Sequence, residues 1–208
     1  MVLVWNHLSC FMTEGQLRGN TLSWVLFCVV GGCYAQSVRV EWNKIGNGLW
    51  MLLWILLLPV AEVYAVELLA GQNAARLLPH LFGFNYFWCL VVTALLFAIT
   101  SHYRFSIVSS AIFFYLLGTV NHFLLDFRGS PFQLADIRSA GTAMNVAENY
   151  AIVLDSDLLL AGSILFFAVS LAIKAQFHFQ RRYWYTVVGN LVLLAFLAGA
   201  VTHFYSDV

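Results

Sequence analysis

Charge is what this chain has least of. Only 10% of its 208 residues are Asp, Glu, Lys or Arg, where a soluble domain carries about 25%. That shortage excludes an ordinary water-soluble domain. Its ten basic and ten acidic side chains cancel to a formal net charge of zero, so there is no basic field to recruit nucleic acid and no nucleic-acid partner is expected. Four cysteines (Cys10, Cys28, Cys33, Cys89) and six histidines are scattered without metal-ligand spacing. The sequence therefore argues for cysteines that act as small buried hydrophobes, and against a disulfide framework or a metal centre. No phosphate-binding loop, nucleophile elbow, zincin helix or dinucleotide fingerprint occurs. The N-terminus has neither a basic n-region nor a small-residue cleavage site, so no removable signal peptide is expected.

What the chain does have is apolar length. It is 62% hydrophobic and holds 18 Phe and 7 Trp. A bilayer crossing needs about 20 mostly apolar residues, because every backbone polar group must find its partner inside the segment. Between the charged residues lie six candidates, at roughly 20–38, 47–70, 83–100, 105–125, 156–174 and 184–205. Gly31, Gly32 and Gln36 dilute the first, which leaves five spans as the alternative to six. The predicted fold is all-α: a polytopic transmembrane helix bundle of five or six spans with an amphipathic interfacial segment between spans four and five. The division is an N-terminal segment, 1–46, and a transmembrane domain, 47–208.

Orientation follows from Lys and Arg in the short loops. The densest basic loop carries Lys174, Arg181 and Arg182, and placing it in the cytoplasm puts Arg39, Lys44 and Arg104 there too. Arg18, Arg76, Arg128 and Arg138 then fall outside. This arrangement makes the 126–155 loop and the C-terminus extracellular on a multi-pass protein of the plasma membrane. The aromatic run Tyr183-Trp184-Tyr185 reads as an interface belt.

The loop concentrates the polar residues. Ser130-Pro131-Phe132-Gln133 reads as a helix start, with Ser130 as cap, Pro131 in the first helical position and Gln133 as the reciprocal acceptor. Leu134, Ile137, Gly141, Met144 and Ala147 follow at three- and four-residue spacing, with Asp136, Arg138, Asn145 and Glu148 turned elsewhere. That pattern is an amphipathic segment in the headgroup region, broken near Gly141. Its structural alternative is a re-entry loop that only packs the bundle.

Within the spans, Glu62 and Glu67 stand past Pro59. A carboxylate in the bilayer costs several kcal/mol, so it pairs, protonates or lines a wet cavity. Five residues apart, the two sit about 140° around the helix and cannot share a face. For Glu67 the choices are an ion pair with Arg76, Arg128 or Arg138, or a lipid-headgroup cleft. Pro59 frees the carbonyl of Ile55 one turn back. Arg128 suits bidentate phosphate recognition, with pairing to Asp126 or Asp136 as its structural rival. Asp155 and Asp157 precede a span, and helix capping explains them. His122 and His203 lie at span ends, where a hydrogen-bonded or snorkelling role is the default.

The stretch "NHFLLDFRGSPFQLADIRSAGTAMNVAENY" resembles the signature loop in the membrane domain of the lipoteichoic acid synthase family. These are phosphoglycerol transferases of the sulfatase/alkaline phosphatase superfamily in Gram-positive bacteria. The likeness extends through "VYAVELLAGQN" and "ITSHYRFS" and covers roughly residues 48–205. It implies a membrane anchor that presents lipid, phosphatidylglycerol included, to an extracellular catalytic domain with a threonine nucleophile and manganese. The motif positions it marks as lipid-headgroup or loop-motif candidates are Asn121, Arg128, Gly129, Pro131, Asp136, Ser139, Thr142, Asn145 and Tyr150, with Glu67 in the span 47–70. None of that catalytic domain's motifs occurs in these residues. On this reading no catalytic residue, metal ligand or cofactor belongs to the chain, and the chain alone is expected to be inactive in cell-wall polymer synthesis. Its partners would be membrane lipids and its own missing catalytic domain. The alternative is a stand-alone membrane protein that docks a cell-envelope enzyme. A small transporter built on Glu62 is a weaker third reading, since it would need polar residues in several facing spans and, apart from Thr93, Ser109, Ser110 and Asn190, there are few.

Overall fold

A computed structural model describes residues 19–38, 40, 43–71, 79–100, 102–131, 133, 155–175, 195 and 199. Five helices make up this part: α1 (Gly19–Ser37), α2 (Lys44–Leu69), α3 (Pro79–Thr100), α4 (Tyr103–Arg128) and α5 (Ser156–Ala172). Each falls on one of the expected apolar stretches, with ends shifted by a few residues. Of the sixth, at 184–205, only Ala195 and Gly199 are described, and both are helical. Three of the helices are long and apolar enough to cross a membrane, over Ile45–Leu69, Leu81–Thr100 and Tyr103–Arg128. The described parts of α1 and α5 are apolar but shorter.

Local chemistry sets the helix ends. Asn43 caps α2 by accepting from the Gly46 N–H at 2.7 Å, and Asp155 caps α5 by accepting from the Leu158 N–H at 2.9 Å. Such caps contribute about 1 kcal/mol each. Gly129 ends α4 in the left-handed region, at φ 66°, its N–H returning to the Leu125 carbonyl. A side chain there would strain the backbone.

Helix α2 is central, packing against α3, α4 and α5, while α1 rests mainly on α5. Its core has three parts. Trp54, Leu58, Tyr103, Ile107 and Ala168 join α2, α4 and α5; Ala65, Leu69, Leu158 and Leu165 join α2 and α5; and Val63, Cys89 and Phe114 bring in α3. Many large apolar side chains stay exposed along the helices, among them Leu49, Leu52, Leu56, Ile112, Phe113 and Leu116. Water would not tolerate so continuous an apolar surface; lipid does.

Small residues let the helices approach. A Cβ at Gly32 would lie 2.7 Å from the Phe166 ring, and one at Gly31 2.9 Å from Phe167. Gln36 donates to the Ser170 carbonyl at 2.8 Å. The three residues that dilute the first apolar run therefore belong to its contact surface for α5, together with Phe27, whose ring meets Phe167. Gly118 of α4 similarly admits Leu69 of α2, with a Cβ 2.8 Å from its side chain.

The helices cross with alternating direction, so the two ends of the bundle differ. One end gathers the starts of α2 and α4 and the finish of α5, with Lys44, Arg104 and Lys174. The other gathers the finishes of α2 and α4 and the start of α5, with Glu67, Asp126, Arg128, Asp155 and Asp157. The 126–155 loop leaves from and returns to this second, acidic end.

Candidate functional site

The two anchors of the loop are tied together. His122, six residues before the end of α4, places Nδ1 2.8 Å from the Leu69 carbonyl of α2. A carbonyl only accepts, so Nδ1 is the donor there. The opposite nitrogen, Nε2, lies 2.8 Å from Asp155 Oδ2, while Oδ1 of the same carboxylate caps α5. One histidine thus links the ends of α2, α4 and α5. The Tyr115 hydroxyl adds a bond to the Leu158 carbonyl at 3.3 Å, one turn further in. The sequence pointed to a capping Asp155 and a hydrogen-bonded His122, but not to their pairing across 33 residues.

Arg128 turns onto the loop's first residues. Its Nη2 donates to the Pro131 carbonyl at 2.9 Å and its Nε to the Ser130 carbonyl at 3.4 Å. Both bonds shape the exit from α4, and the side chain remains solvent- or headgroup-facing. Here the structure corrects a sequence expectation. Pro131 and Gln133 are outside any helix, so no helix starts at Ser130–Gln133. Left-handed Gly129 and the Arg128 bonds hold this stretch as a bend instead. Gly129 has a backbone reason to be glycine, independent of any ligand. Asn121 is half-buried on α4 beside His122. The remaining loop candidates, Asp136, Ser139, Thr142, Asn145 and Tyr150, lie outside the described residues, as do Arg76 and Arg138.

Glu67, in the last turn of α2, accepts a hydrogen bond from the Asn85 amide of α3 at 2.8 Å. Sequence reading offered arginine partners for Glu67 and overlooked Asn85, whose only signal was a lone amide within an apolar run. Glu62 lies deeper and is fully buried. Its Oε1 meets the Ser110 hydroxyl of α4 at 2.7 Å, and Ser110 meets Thr93 of α3 at 2.7 Å. As expected from their spacing, the two glutamates serve different faces. Pro59 is buried between them and the start of α2, and the Tyr86 phenol donates to the Leu56 carbonyl beside the bond that proline leaves open. Cys28, Cys33 and Cys89 are free thiols, two of them buried.

Chemically, the described residues of the acidic end offer hydrogen-bond donors and acceptors in the Glu67–Asn85 and His122–Asp155 pairs. Among the described residues no three His, Cys, Asp or Glu side chains come together as a metal ion would require. Compared with known proteins, the chain matches no family model, no curated protein and no solved structure.

Proposed function

We propose that the chain is the membrane domain of a phosphoglycerol transferase of the lipoteichoic acid synthase type. It crosses the bacterial plasma membrane five or six times and offers lipid to an extracellular catalytic domain through the 126–155 loop. The observation that supports this reading is the His122–Asp155–Leu69 junction. A loop of nearly thirty residues that only joined two spans would not need both its ends fixed to a third helix. On this reading the fixed anchors serve to hold the polar segment near the bilayer boundary, where positioning a headgroup requires it.

The orientation draws support from the sorting of charge, with Lys44, Arg104 and Lys174 at the end opposite the loop. Basic residues favour the cytoplasmic side, which leaves the loop outside. Arg128, at the loop's exit, carries a guanidinium, the group suited to bidentate recognition of a lipid phosphate.

A photoreactive residue at Gln133 or Asn145, activated in intact membranes, tests the proposal. Adducts with phosphatidylglycerol or another phospholipid are expected. Adducts with a single protein instead would favour the stand-alone docking reading. Arg128→Ala and Asp136→Ala, placed in a full-length enzyme, are expected to lower polymer synthesis at unchanged protein level. Unchanged synthesis in both would remove the loop from substrate handling.

A further inference from the structure

The interior of the α2–α3–α4 contact holds a chain of four oxygens. Glu62 Oε1 lies 2.7 Å from Ser110 Oγ, Ser110 Oγ lies 2.7 Å from Thr93 Oγ1, and Thr93 Oγ1 lies 3.0 Å from the Cys89 carbonyl. Each of these links is a hydrogen-bond distance. Three links need three hydrogens. The two hydroxyls supply one each, and the carbonyl supplies none. If Glu62 is a carboxylate, Ser110 donates to it and one of the remaining links is left without a hydrogen. With the carboxylic acid all three are filled: Glu62 donates to Ser110, Ser110 to Thr93, and Thr93 to the Cys89 carbonyl.

Two further observations point the same way. Glu62 and both hydroxyl residues are at most 1% exposed. The other carboxyl oxygen, Oε2, is buried without a hydrogen-bond partner, and among the described residues no Lys, Arg or His pairs with this side chain. A lone buried charge with a single hydrogen bond would have nothing to offset its desolvation.

We propose that Glu62, Ser110, Thr93 and the Cys89 carbonyl form a proton-binding site inside the bundle, with Glu62 carrying the proton. The site is independent of the loop and of any lipid-presenting role. It belongs to the three helices long enough to cross the membrane. Its ligand is the smallest one a carboxyl can take, and the neighbouring hydroxyls relay its bond from α2 to α3.

The full chain in lipid nanodiscs, treated with dicyclohexylcarbodiimide, tests the proposal. This reagent adds to protonated carboxyls in apolar surroundings, and peptide mass spectrometry locates the adduct. Labelling at Glu62 is expected, with no protection by sodium or lithium ions. Absence of labelling while the smaller, water-soluble carbodiimide also fails would overturn the proposal, and protection by an alkali cation would replace the proton with a metal ion as occupant. An infrared spectrum supplies a readout that does not rely on reagent access. The wild-type protein should show a protonated-carboxyl C=O band that is missing in Glu62→Gln and shifted in Ser110→Ala, which removes the acid's acceptor. A spectrum with carboxylate bands alone would refute it. Glu62→Gln should fold with an unchanged melting temperature, because its amide N–H donates to Ser110 as the acid does. A melting temperature lowered as far as that of Glu62→Ala would show that the site needs a negative charge, against the proposal.

Discussion

The two ends of this bundle are held in different ways. At the basic end the finish of α5 is caught by many separate donors: Gln36 of α1 reaches the Ser170 carbonyl, Trp50 of α2 the Leu171 carbonyl, Tyr103 of α4 the Ala172 carbonyl and Arg104 the Ala175 carbonyl. Lys174 in turn donates to the Val38 carbonyl. Ser170, Leu171 and Ala172 lie in the last turn of α5, where the usual backbone donor four residues on is missing. Leu171 and Ala172 also accept from the Lys174 and Ala175 N–H groups at 3.3 Å, and each carbonyl is met by a different side chain. Among the described residues the acidic end centres on His122 and Asp155, which join three helices, with the Glu67–Asn85 and Tyr115–Leu158 bonds beside them. Dispersed ties tolerate the loss of one; concentrated ties do not. At the end that carries the candidate site, the meeting of α2, α4 and α5 runs, among the described residues, through His122 and Asp155.

That contrast can be broken or sharpened by substitution, with stability read from thermal unfolding in detergent or nanodiscs. The largest effect is expected for Gly118→Leu, about 3 kcal/mol of destabilisation. The new side chain would displace Leu69, whose carbonyl holds His122, so crowding and loss of the junction come together. Asp155→Ala follows at about 2 kcal/mol, since it removes both the α5 cap and the partner of His122. Asp155→Asn should recover part of that, because an amide oxygen still caps the helix. Asn85→Leu, which strips Glu67 of its amide donor, is expected to cost about 1 kcal/mol. Tyr103→Phe at the basic end comes last, at about 0.6 kcal/mol, the mean for a hydrogen bond between membrane helices. A Tyr103→Phe effect equal to that of Asp155→Ala would show that the ends are held alike. The two substitutions lie at opposite ends without a shared partner, so their effects should add.

Much of the helical architecture was legible in the sequence. Long apolar runs bounded by charge leave a membrane helix as the natural outcome, and five of the six expected stretches coincide with helices. The Asp155 cap was legible too, because capping is a local matter of one side chain and a backbone two or three residues on. The same reasoning misread Ser130-Pro131, since a serine before a proline is compatible with a helix start and with a bend alike. What decided between them was Gly129 in the left-handed region and the Arg128 bonds to the carbonyls. The partnerships of Glu62 with Ser110, Glu67 with Asn85 and His122 with Leu69 are tertiary. Periodicity shows which face a residue occupies, but not which residue of another helix stands opposite. Gly31 and Gly32 teach the converse lesson. Hydropathy counts them against a span, although their lack of side chain is what lets α1 lie against Phe166 and Phe167.

The way α5 is received at the basic end has a bearing on biogenesis. Synthesis runs from the N-terminus, so α1, α2 and α4 are made before the helix whose carbonyls their side chains will satisfy. Until α5 arrives, Gln36, Trp50 and Tyr103 lack their acceptors, and α1 lacks its main neighbour. Helix α1, the earliest made of the described helices, is accordingly among the last to find its seat, and a ribosome stalled before residue 156 would leave it adrift in the lipid.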